Sequence, residues 1–131
     1  MSSSVLEKYG LSRRDEGMRI GGETVFADDV IDVVYPYTEE VVGSVPAGGA
    51  AHAAKAFEIA AGYKSKLTRY ERQKILLRTA GLIGERREQL AYWLTLELGI
   101  SQQHALYEAG RACDVFTFAG QMAIILSLIH I

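Results

Sequence analysis

Residues 67–101, "LTRYERQKILLRTAGLIGERREQLAYWLTLELGIS", decide the fold. Thr68 with Glu71 three residues later is a capping box, so a helix begins there, and Ile75, Leu76, Thr79, Leu82 and Ile83 recur on one of its faces. The spacing predicts an end near Gly84 and a further helix from about Arg86 through Leu90, Ala91, Leu94 and Leu98 to Gly99, a natural left-handed C-cap. Ser101 then caps another. Upstream, Ala53, Ala56, Phe57, Ala60 and Ala61 repeat at helical spacing within 50–64, and no proline follows Pro46. Four helices therefore account for the chain beyond residue 50.

Before residue 50 the pattern changes. Short β-branched runs are broken by Gly21-Gly22, Asp28-Asp29 and Pro36, which is how hairpin strands and turns punctuate a chain. Strands are expected near Met18–Ile20, Thr24–Phe26, Val30–Val34 and Val41–Ser44, forming a small antiparallel unit. No repeat or linker separates the halves, so an α/β fold in which they pack together is the expectation.

The 131 residues suffice for one small core, and 14 basic against 16 acidic residues argue against binding polyanions by bulk charge. The single cysteine, Cys113, can form no internal disulfide, which fits a reducing cytoplasmic compartment. Residues 1–15 hold no apolar run of secretory type. The uncharged stretch 115–131 is shorter than the roughly 20 residues a membrane span needs, and it contains Gln121, Ser127 and His130 with no basic anchor beyond. It reads as no membrane anchor.

Candidate site residues are few. Eight lysines and arginines lie between Lys64 and Arg87, but Arg69, Arg72, Lys74 and Arg78 scatter around a helix axis, so a solvated surface is favoured over a nucleic-acid face. Gly21-Gly22 and Gly48-Gly49 lack the spacing of a phosphate loop and read as turns. In the last helix Ala105, Ala109, Ala112, Phe116 and Ala119 form a small-residue stripe suited to close packing. A second stripe holds His104, Tyr107, Arg111, Val115, Phe118 and Met122. Arg111 is its one cation: either an anion ligand for carboxylate or phosphonate oxygens, or the partner of Glu108 or Asp114 in an ordinary surface ion pair. Cys113 reads as a small packed residue, since no base is placed to activate it.

"YPYTEEVVGSVPAG" (35–48), "AAKAFEIAA" (53–61), the 67–101 stretch and "EAGRACDVFTFAGQ" (108–121) occur in the order and spacing of the N-terminal segment of aldehyde dehydrogenases. The resemblance covers about 18–122. "KLTRYERQKIL" and "TLELGIS" with "LYEAGRACDVFTFAGQ" look most like the phosphonoacetaldehyde dehydrogenases of phosphonate catabolism. Tyr35 departs from the family's frequent asparagine, Glu39 from its usual glycine and Ile100 from its frequent lysine.

The resemblance implies a layout: an arm at 1–17, the N-terminal part of an NAD(P)-binding domain at 18–123 without its parallel sheet, and an atypical, truncated tail at 124–131. It implies an oxidoreductase using NAD or NADP, in which a cysteine thiolate adds to the aldehyde, an oxyanion hole holds the alkoxide, and a glutamate activates water to release the acid. Those groups and the nucleotide-binding segments lie downstream of the matched region, so this chain alone is expected to be inactive and to hold no catalytic, cofactor or metal ligand. Arg111, Tyr107 and Phe118 would line the entrance for a small anionic aldehyde, in a complete enzyme that is a homo-oligomer. The alternative is a non-catalytic helical interaction module. Without the parallel sheet, the small-residue stripe is expected to lack a partner.

Overall fold

The computed structural model describes residues 4–125. Among these the order is α1 (Val5–Lys8), β1 (Arg14–Asp15), β2 (Met18–Ile20), β3 (Glu23–Val25), β4 (Val30–Val34), β5 (Val41–Pro46), α2 (Ala50–Gly62), α3 (Arg69–Glu85), α4 (Arg87–Leu98) and α5 (Gln102–Ile125). The chain divides into two compact units: one runs to Lys64 and takes in Leu96–Gly99, the other holds Ser65–Thr95 and the chain from Ile100 onward. Of the tail read as atypical, residues 126–131 lie outside the described residues. No helix among the described residues is long and apolar enough to cross a membrane.

In the first unit the strands form two sheets where the sequence suggested one antiparallel unit. β2 and β3 make a hairpin, with Met18 opposite Val25 and Ile20 opposite Glu23. Its turn is Gly21-Gly22 at φ +62° and +89°, a two-residue connection that requires positive φ at both positions. The other sheet has the order β1-β5-β4, with β4 antiparallel and β1 parallel to the central strand. Gly43 permits this arrangement: a Cβ there would collide with the Arg14 carbonyl oxygen. The Ser44 hydroxyl donates to Asp15 at 2.7 Å and Arg13 Nε donates at 3.0 Å. These two groups, the hydroxyl first, hold the Asp15 carboxyl below its ordinary value. Val42 and Leu96 are the large side chains most completely buried.

Between β4 and β5 the chain turns at 35–40, where the Tyr35 and Glu39 amides donate to the Glu40 and Tyr35 carbonyls, each at 2.9 Å. Glu39 sits at φ +60°, alone among described non-glycine residues in the left-handed region. A side chain there costs about 1–2 kcal/mol, which glycine avoids. Glu39→Gly is therefore expected to stabilise the chain by about 0.5–1 kcal/mol, the relief being offset by glycine's larger unfolded-state entropy. Urea denaturation of the two proteins checks this, and a destabilised variant would show that the Glu39 side chain does more than tolerate its turn.

The second unit follows the capping chemistry read from the sequence. Thr68 Oγ1 accepts from the Glu71 amide at 3.3 Å, and a Glu71 carboxylate oxygen accepts from the Thr68 amide at 2.7 Å. The Thr68 amide, then its hydroxyl, hold the Glu71 carboxyl below its ordinary 4.5, so this cap's contribution is present above that pH and is lost as the pH falls through the lowered value. Ser101 Oγ accepts from the His104 amide at the start of α5. Gly99, at φ +68°, closes α4 and belongs with Pro36 to the first unit; a Cβ there would lie 3.2 Å from Pro36, so sterics and conformation both favour glycine.

α5 packs along α3. Ala80 is buried on α3, and Ala105, Ala109 and Gly120 are buried on α5. The Cys113 thiol donates to the Ala80 carbonyl at 3.4 Å, and a Cβ on Gly120 would stand 2.9 Å from Leu77 Cδ2. The expectation that the small-residue side of α5 lacks a partner is corrected by this contact: small residues on both helices let the backbones approach without the parallel sheet. α2 behaves differently. It buries no side chain fully, and Phe57 of its apolar stripe is 77% exposed.

Candidate functional site

Of the residues singled out on α5, Tyr107, Arg111 and Cys113 line a groove of about 440 Å³, together with Gly84, Arg87, Gly110 and Asp114. Arg87, at the first turn of α4, reaches α5 and donates to the Leu106 carbonyl through Nε at 3.1 Å and Nη2 at 3.0 Å. Gly110 makes this reach possible, since a Cβ there would stand 3.3 Å from Arg87 Nη2. The guanidinium thus lies against bare helix backbone and holds one side of the groove. The sequence left Arg87 within a solvated basic cluster. A glycine in the interior of a helix, where it costs stability relative to alanine, was the available signal that something packs against it.

Arg111 stands on the exposed side of the groove. Its Nη1 is 3.4 Å from a Glu108 carboxylate oxygen, and its guanidinium carbon is 5.9 Å from the Tyr107 ring centre. The ion pair read from the spacing is thus formed with Glu108. Both side chains are about half exposed, and an exposed pair of this kind stabilises by no more than about 1 kcal/mol. Of the three residues named for an anion entrance, Tyr107 and Arg111 meet at the groove. Phe118 does not line it and lies along the same helix face, 63% exposed. Tyr107 and Phe118 both present their rings to solvent, so they do not build low-dielectric surroundings for Arg111. His104 is engaged at the other end of the stripe, its Nδ1 3.3 Å from Ser101 Oγ.

The described residues do not form a dinucleotide cradle. Gly21-Gly22 is the hairpin turn, and Gly48 is small because Met18 Sδ would lie 2.8 Å from its Cβ. Gly21-Gly22 is thus the turn the sequence suggested, whereas Gly48-Gly49, also read as a turn, is not one: Gly49 is extended and forms the N-cap of α2. The parallel sheet whose strand ends hold a nucleotide in doubly wound folds is not found among the described residues. Nor is there a group of three or more His, Cys, Asp or Glu side chains placed to hold a metal among them. Cys113 is half-buried, with its thiol turned to the Ala80 carbonyl.

Comparison with known proteins gives a consistent picture. The chain is 36% identical over 109 residues to a malonate-semialdehyde dehydrogenase of Bacillus subtilis subsp. natto, a match covering 76% of this chain and 22% of the relative. It is 31% identical over 105 residues to a lactaldehyde dehydrogenase of Methanocaldococcus jannaschii, covering 78% of this chain and 22% of the relative. An NAD-dependent aldehyde dehydrogenase from Sinorhizobium meliloti superposes with a TM-score of 0.78 at 30% identity, over 91% of this chain and 25% of that one. The chain thus spans about a fifth of the length of the curated relatives it matches. Residues 25–127 match the description "Aldehyde dehydrogenase family", and the chain belongs to that family.

Proposed function

We propose that this chain is the N-terminal segment of an NAD(P)-dependent aldehyde dehydrogenase, a cytoplasmic homo-oligomer in its complete form, which oxidises a small anionic aldehyde to the acid. Phosphonoacetaldehyde, giving phosphonoacetate in phosphonate catabolism, is the substrate the sequence favours. The observation that carries the reading is the family match across residues 25–127 in a chain spanning about a fifth of its relatives. The anionic character is supported by Arg111 beside Tyr107 on the groove, and by a relative named for malonate semialdehyde, whose carboxylate poses the same recognition problem. The described residues supply no cradle for the nicotinamide nucleotide, so nucleotide binding, thiolate addition and hydride transfer fall to polypeptide corresponding to the rest of the relatives' length.

Purified residues 1–131 are accordingly expected to produce no NADH or NADPH from phosphonoacetaldehyde or malonate semialdehyde. Absorbance at the reduced-nicotinamide band measures this directly. Turnover by this chain that disappears in Cys113→Ala would overturn the reading and make Cys113 a nucleophile.

A further inference from the structure

We infer that Arg87 is a second anion-binding residue of the groove, and that Arg87 and Arg111 together select a phosphonate dianion over a carboxylate. The inference rests on the dehydrogenase reading for the substrate that carries the phosphonate. Two guanidinium groups line one groove of about 440 Å³, a volume that suits a small molecule. Gly84 and Gly110 contribute no side chain to the lining, which leaves room beside the two cations. Asp114 is the one carboxylate of the lining and pairs with neither, so two positive charges stand against one negative.

The two cations are held in opposite ways. Arg111 keeps a loose contact at 3.4 Å with Glu108, which does not line the groove. Arg87 is held by a neutral group: the Leu106 carbonyl accepts from Nε at 3.1 Å and from Nη2 at 3.0 Å, which fixes the guanidinium without cancelling its charge. No carboxylate pairs with Arg87 among the described residues, and its Nη1 hydrogens have no partner among them. A long side chain that is already immobilised gives up little further freedom when an anion arrives, so Arg87 is the preorganised half of the receptor and Arg111 the adjustable half. A carboxylate is satisfied by one guanidinium. A phosphonate dianion, with a third oxygen and a second charge, can take both.

Amide chemical shifts of residues 1–131, followed in mildly alkaline buffer as methylphosphonate, inorganic phosphate, acetate or neutral acetamide is added, test this without turnover. Methylphosphonate is expected to move the Gly84, Gly110 and Arg111 amides saturably and to bind at least about threefold more tightly than acetate, with acetamide inert. Arg87→Gln keeps a donor for the Leu106 carbonyl but loses the charge, and should weaken methylphosphonate roughly tenfold or more. Arg87→Lys keeps the charge and should stay within about fivefold of the parent. The Thr68 and Glu71 amides, in the cap at the opposite end of α3 from Gly84, report that each variant is folded. Absence of saturation up to about 50 mM, acetate bound as tightly as methylphosphonate, equal losses in Arg87→Gln and Arg87→Lys, or inorganic phosphate bound about tenfold more tightly than methylphosphonate would each overturn the inference. Binding that survives Arg87→Gln and is lost in Arg111→Ala would remove Arg87 alone and keep α5 as the anion entrance. The dehydrogenase reading is answered separately, by reduced nicotinamide.

Discussion

Gly43→Ala is expected to destabilise the chain by about 3 kcal/mol, at the upper end for forcing a methyl group into occupied space. The added Cβ would meet the carbonyl oxygen of Arg14, which belongs to the backbone of the neighbouring strand and cannot rotate away as a side-chain tip can. Either β1 leaves β5 or the central strand distorts. The first outcome also removes the Glu16 amide bond to the Ser44 carbonyl at 2.9 Å and separates the Ser44 hydroxyl from Asp15. Hydrogen exchange at the Glu16 amide should therefore approach that of an open chain, alongside a lower urea midpoint. Gly62→Ala is the control, because a Cβ there meets nothing within 4 Å. A Gly43→Ala protein within about 1 kcal/mol of the parent would mean that the β1–β5 approach is looser than described.

Arg111→Ala, in a complete enzyme carrying this segment, should raise KM for phosphonoacetaldehyde tenfold or more, about 1.5–3 kcal/mol for a hydrogen bond to a charged group, and leave a neutral aldehyde such as propanal little affected. The exposure of the Arg111–Glu108 pair sharpens the expectation, since little stability is lost with the guanidinium and the loss falls on the anion. Glu108→Gln frees Arg111 from its carboxylate and should lower the same KM. Equal losses for charged and neutral substrates would make Arg111 structural and return the anion site to another part of the enzyme.

The sequence revealed the elements whose signals are local. The capping box at Thr68 and Glu71, the left-handed Gly99 and the cap at Ser101 depend on residues three or four apart, and each appears as read. The double glycine at 21–22 likewise declared its turn. What depends on partners distant in the chain stayed hidden. β1 is two residues long, charged and exposed, and exists because β5 offers it an edge. α1 is a four-residue turn whose Val5 amide donates to Glu40 at 2.9 Å, a contact across 35 residues that no periodicity announces. The same limit applied at the groove. Spacing placed Tyr107 and Arg111 together and offered Arg111 Glu108 or Asp114, of which the structure forms the first, but apolar spacing alone does not say whether Tyr107 and Phe118 face solvent or core. Glu39 is the instructive intermediate case: the departure from the family's glycine was visible, and its left-handed backbone supplies the physical meaning.

The bond from Arg87 to the Leu106 carbonyl across Gly110 also works as a mechanical detent. A guanidinium can seat there because the helix presents no side chain. Sliding α5 by one turn, about 5.4 Å, would bring Leu106 or Asp114 beneath it, and the next glycine on the helix, Gly120, is about 15 Å away. The helix therefore has a single axial setting relative to the start of α4, and Tyr107 and Arg111, on either side of the notch, are indexed to it. A change at residue 110 would shift Tyr107 and Arg111 relative to Arg87 as a misalignment of otherwise intact parts, felt in geometry before it is felt in stability.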